Sequence, residues 1–111
     1  MSEAYLGGGV GVTFTGSGAG IAVTAQDAFA DETVTVSREG AHALLNAAAQ
    51  RRDVTVPAQA AWGAAEVQYR TSARGARLLL AGVGETAIVD VTFRRDLDEP
   101  LLTRALVQLL H

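Results

Sequence analysis

The sequence contains no cysteine and no lysine, and histidine and proline occur twice each among its 111 residues. Without cysteine there is no disulfide frame, thiol chemistry or thiolate-bound zinc, which suits a reducing compartment; the expected location is cytoplasmic. Without lysine the phosphate-loop pattern GxxxxGK[ST] cannot be written, and the glycine-rich run Gly16–Gly20 has no GxGxxG spacing and leads into a strand. The two histidines, His42 and His111, lie far apart, with no ligand spacing around His42 and no nucleophile beside either one. No catalytic group, metal or cofactor is therefore expected, and the chain reads as a non-enzyme. No run approaches the ~18–20 apolar residues of a membrane span, and Met1–Leu6 lacks the basic start and apolar stretch of a leader.

What is present is globular. Hydrophobic residues make up 49% and charged residues 19%, enough for one core in a single domain over 1–111. The fold class is α+β. A shift of 55 residues sets Val12 on Val67, Phe14 on Tyr69, Ser17 on Ser72, Gly20 on Gly75, Val23 on Leu78, Val34 on Val89 and Val36 on Val91. The matches fall mainly on alternate positions, as the buried face of a strand requires. An apolar helical pattern follows each copy. The expectation is a pair of β-β-β-α pseudo-repeats, 10–52 and 65–110, forming an antiparallel sheet with two helices packed on it.

In chain order, Val10, Val12 and Phe14 share one strand face, and Ile21, Val23 and Ala25 restart the alternation after a tight glycine turn. Asp27, Asp31 and Glu32 read as a solvated acidic connection without calcium-loop spacing. Thr33–Ser37 is a third strand, and Ser37 caps a helix to about Arg52 with Glu39 in its first turn. The joint 53–64 holds a short strand ended by Pro57, and then Trp62, the only tryptophan. A second hairpin spans 65–81, Gly82-Val83-Gly84 turns the chain, and Val89, Val91 and Phe93 face the core. Asp98 or Glu99 caps the last helix, whose Leu101, Leu102, Ala105, Leu106, Val107, Leu109 and Leu110 cover about half the circumference.

Two features point to function. All nine basic residues are arginine, and Arg70, Arg74 and Arg77 lie on one hairpin with Arg94 and Arg95 nearby, an arrangement that offers a basic surface. The C-terminal helix is more apolar than one sheet face needs, so Leu102, Leu106, Val107, Leu109 and Leu110 are expected to form a homodimer interface. Trp62 is a candidate partner contact. The favoured reading is a small interaction or regulatory protein, homodimeric through that helix, with a protein partner. The alternative is single-stranded nucleic-acid binding. Twisted antiparallel sheets with basic hairpins and paired helices are similar in topology to Whirly-like single-strand binders, which place four strands before each helix where three are read here. A small enzyme or ligand carrier is the third option. Single-strand binding needs stacking aromatics, and Phe14, Tyr69 and Phe93 are assigned to the core.

Overall fold

The structure, a computed structural model, describes residues 2–5, 11–18, 20–95 and 98–110. Val10, Asp96 and His111 lie outside them. Eight antiparallel strands follow one another in sheet order: β1 (Ser2–Tyr5), β2 (Gly11–Ser17), β3 (Gly20–Gln26), β4 (Asp31–Val36), β5 (Val54–Ala60), β6 (Gly63–Ser72), β7 (Gly75–Gly82) and β8 (Ala87–Arg94). Helix α1 (Arg38–Gln50) joins β4 to β5, and α2 (Glu99–Leu110) follows β8. The chain is an α+β domain with an antiparallel sheet and two helices.

Each helix is preceded by four strands, not three. The two additional strands have little local signal. β1 is only four residues long and is defined by its pairing with β2. β5 runs through Pro57 to Ala60, whereas the sequence reading stops it at the proline. Proline is tolerated because β4 meets β5 only at Val34–Ala60 and Thr35–Gln59, so β5 has only β6 beside it at Pro57.

The pairing also adjusts the internal correspondence. Val23 opposes Val34 and Leu78 opposes Val91; Ile21 opposes Val36 and Ala76 opposes Phe93. The shift of 55 residues is thus two residues out of step in β4 and β8. The difference lies in the β7–β8 connection and in a bulge at Leu80/Ala81, which leaves Ile88 without an opposite residue.

One core unites the elements. Val12, Phe14, Val23 and Val34 from the first strands meet Val67, Tyr69, Leu78, Val91 and Phe93, all at most 1% exposed. The Ser37 hydroxyl accepts the Gly40 N–H at 3.0 Å and caps α1. That helix ends at Arg51, whose φ of +56° is left-handed. Its buried face is small, with Ala41, Ala47 and Ala48 around Leu44, and it packs on α2 and β5. α2 lies against α1, β1 and β2. Because it has neighbours on more than one side, its wide apolar arc is covered within the chain: Leu102, Ala105, Leu106 and Leu110 are buried, and Leu101 and Leu109 pack against the core.

Candidate interaction surface

Antiparallel alternation places the β3–β4, β5–β6 and β7–β8 turns at one end of the sheet. The β2–β3 and β6–β7 turns lie at the other end. At the first end the Asp27 carboxylate organises a four-residue turn: Oδ1 accepts the N–H groups of Phe29 and Ala30, both at 2.8 Å, and the Asp27 N–H donates to the Ala30 carbonyl at 2.9 Å. Phe29 is left 96% exposed. In the β7–β8 turn the Glu85 N–H donates to the Gly82 carbonyl at 3.0 Å, with Val83 exposed beside it and Ile88 partly exposed at the bulge. In the β5–β6 turn Trp62 is about half exposed.

Two bonds tie these turns together. Oδ2 of Asp27 accepts the Asp90 N–H of β8 at 3.1 Å, and Trp62 Nε1 donates to Glu32 Oε2 at 3.0 Å. Of the five large apolar residues exposed among the described residues, four (Phe29, Trp62, Val83 and Ile88) therefore share one end. The fifth, Val107, is on α2. The surrounding charge is of one sign: segments 21–32, 59–66 and 81–88 contain Asp27, Asp31, Glu32, Glu66 and Glu85 and no basic residue. Three backbone donors, led by Phe29, hold the Asp27 carboxyl below its ordinary value.

The arginines occupy the rest of the molecule, and most are engaged. Arg77 Nε donates to Asp90 Oδ1 at 3.1 Å, with a second, shorter bond from Nη2 to Oδ2. Asp90 and Glu66 do not face each other, because β7 lies between their strands and opposes them with Leu79 and Ala81. Arg94 donates its guanidinium to both Asp98 oxygens at 2.9 and 3.3 Å, and its N–H to Oδ2 at 2.8 Å. Asp98 is held below its ordinary pKa, chiefly by the Arg94 side chain. The Asp98 side chain does not make the cap expected of it: its carboxylate accepts Arg94 instead of first-turn N–H groups of α2, and only its backbone carbonyl accepts the Leu101 and Leu102 N–H groups. The Asp90 and Arg94 N–H groups point off the outer edge of β8, so Asp27 and Asp98 also blunt an edge that would invite strand addition.

Arg70 bridges to the Val54 carbonyl at 3.0 Å and the Thr55 hydroxyl at 2.8 Å. Arg95 folds over the β6–β7 turn, donating to the Gly75 carbonyl at 3.0 Å, the Thr71 hydroxyl at 3.1 Å and the Ser72 carbonyl, with Glu99 at 3.5 Å. Of the five predicted arginines, only Arg74 keeps its side chain without a partner among the described residues. It flanks a shallow cleft of about 200 Å³ that Arg77, Thr92 and Arg94 also line.

Behind that turn lies a buried polar knot. The Tyr69 hydroxyl, Arg95 Nε and Glu99 Oε1 are buried with no hydrogen-bond partner. Burial first, and the Glu99 charge second, push the Tyr69 phenol up to about 12.

The structure places the other predicted site residues in different settings. Leu102, Leu106 and Leu110 are buried in the chain, Leu109 packs against the core and Val107 remains exposed. Trp62 is surface-accessible and pinned by Glu32. Phe29, Val83 and Ile88 were not singled out from sequence. The signal for the first two was nonetheless present: an aromatic among the acids of a connection, and a valine between two turn glycines. Among the described residues no group of three or more His, Cys, Asp or Glu side chains is arranged to hold a metal, and no helix is long and apolar enough to cross a membrane. Comparison with protein-family models, curated proteins and solved structures found no match.

Proposed function

We propose that this chain is a non-enzymatic interaction module that meets a protein partner through the turn end bearing Phe29, Trp62, Val83 and Ile88. The observation that carries this reading is Phe29, 96% exposed on a turn fixed by three hydrogen bonds to Asp27. Such a side chain is held in water by a stable backbone. Burying a residue of this size against a partner is worth about 1.5–3 kcal/mol. Clustered exposed apolar side chains rimmed by polar ones are a feature of interaction sites.

The nucleic-acid alternative draws on the four strands before each helix and on the cleft beside Arg74. It has less support, because Arg77 and Arg94 are neutralised by Asp90 and Asp98, and Phe14, Tyr69 and Phe93 are buried. A homodimer through α2 would have Val107 as its main exposed apolar contact. An ancient duplication remains our explanation for the two four-strand-and-helix series.

Photo-crosslinking tests the choice. With a benzophenone side chain in place of Phe29, a discrete protein adduct is expected that a probe at Arg74 does not give and that Val83→Ser removes. Equal adducts from both positions, or none from position 29, would overturn the proposal. Fluorescence anisotropy of labelled oligonucleotides tests the alternative. Binding at low salt that is lost in Arg74→Ala would favour the arginine end.

A further inference from the structure

The charge around the exposed apolar end defines its partner more closely. Resting on the interaction reading above, we propose that the occupant is a cationic segment of another protein, with apolar side chains for Phe29, Val83 and Ile88 and lysines or arginines for the acidic rim. The three turns carry Asp31 and Glu85 exposed beside these residues, with Asp27 and Glu32 engaged in turn bonds, and no basic residue lies in the three segments. The two arginines flanking these segments most closely in the chain are both engaged elsewhere, Arg77 with Asp90 and Arg70 with the Val54 carbonyl and the Thr55 hydroxyl. A field of one sign next to unburied apolar surface favours an occupant of opposite sign and repels one of like sign. Phosphate-bearing surfaces, whether nucleic acid or an anionic bilayer, are therefore disfavoured at this end. A second copy of this chain could offer its Arg74 region. That region supplies charge without apolar complement, because the exposed large apolar residues among the described ones are Phe29, Trp62, Val83, Ile88 and, on α2, Val107.

Trp62 gives the experiment its own reporter, being the only tryptophan and lying within the proposed footprint. Its emission is titrated with two synthetic amphipathic peptides that share one leucine pattern and differ in having lysine or glutamate at every polar position. The lysine peptide is expected to bind at least about tenfold more tightly at low salt and to lose that advantage as salt rises. Phe29→Ser with Val83→Ser should abolish its binding. Asp31→Asn with Glu85→Gln should reduce the preference for lysine over glutamate, and neither pair touches the Asp27 or Glu32 bonds. Equal binding of both peptides, lost in the Phe29/Val83 variant, would overturn the charge assignment and leave the interaction reading standing. Binding that survives in the Phe29/Val83 variant, or no binding of the lysine peptide, would overturn the inference. In the latter case the crosslinking result at position 29 decides the broader reading separately. Sedimentation at the same concentrations would also overturn it if the free chain forms dimers that the Phe29/Val83 variant loses, since the occupant would then be a second copy.

Discussion

The hairpins β2–β3 and β6–β7 use one backbone solution and two kinds of chemistry. Both place serine three residues before a glycine, Ser17–Gly20 and Ser72–Gly75, and the two glycines adopt φ of +153° and +156°. A Cβ at Gly20 would overlap the Val36 carbonyl oxygen, and one at Gly75 the Phe93 carbonyl oxygen. The side chains around these matched backbones differ. In the first series the outer face carries the Thr24–Thr33 hydroxyl pair, at 2.9 Å. In the second the matching rung is Leu79–Asp90, Asp90 is taken diagonally by Arg77, which opposes Thr92, and Arg95 closes the turn. Backbone geometry is what the two hairpins share, while their surface chemistry differs.

The largest effect expected is from the glycines. Gly20→Ala and Gly75→Ala each combine a disfavoured φ with a backbone overlap, and each should cost about 3–5 kcal/mol in chemical denaturation. Similar losses would sharpen the comparison, and a tolerated alanine at only one site would break it. Next comes Arg95→Ala, which leaves the Ser72 and Gly75 carbonyls without this donor and Glu99 unpaired in a largely buried setting. A loss of about 2–3 kcal/mol is expected.

The aromatic pair extends the comparison into the core. Phe14 opposes Val23 and Tyr69 opposes Leu78, both aromatics being at most 1% exposed. Tyr69 carries an orphaned hydroxyl, so Tyr69→Phe should be neutral or stabilise by up to about 1 kcal/mol, whereas Phe14→Tyr should destabilise by about 1–3 kcal/mol. The phenol stays protonated in the fold up to about 12 but ionises near 10 when unfolded. The unfolded chain therefore holds fewer protons between these values, and stability should fall as pH rises through that window. The Tyr69→Phe variant should lose this tyrosine's part of the alkaline decline; an unchanged profile would contradict the burial assigned to the hydroxyl.

How much of this was legible in the sequence depended on how local each cause is. Alternating Val12/Phe14 and Val89/Val91/Phe93, and the Ser37 cap, are set by neighbours a few residues away, and they could be read directly. β1 could not, because its four residues become a strand only by pairing with β2. Pro57 marked a stop because its missing N–H is visible in sequence, while the missing neighbour that excuses it is not. The arginines looked like a continuous basic surface because Asp90 and Asp98 are brought to Arg77 and Arg94 only by strand pairing and by the turn into α2. The apolar arc of α2 looked like an interface because its second neighbour, α1, ends at Gln50, far back in the chain from Glu99 where α2 begins. Phe29 was hidden for the opposite reason: nothing local says whether an aromatic in a connection folds inward or stays in water.

The smallest effect, and the most local, separates the turns that end these series. The β3–β4 turn is held by a carboxylate, while the β7–β8 turn has a backbone bond from Glu85 to Gly82. The Asp27 pKa in the fold lies below its ordinary 3.8, so the support it gives is complete above that value and is lost as pH falls through the folded value. Acid should therefore shift the amide resonances of Phe29, Ala30 and Asp90 together, below about pH 4, before global unfolding. Asp27→Asn should remove this titration and free the Asp90 N–H, because one amide oxygen cannot take the place of both carboxylate oxygens. The Glu85 amide should not follow the same curve. If it does, the two turns open as one unit, and the end bearing Phe29 and Val83 behaves as a single acid-sensitive surface.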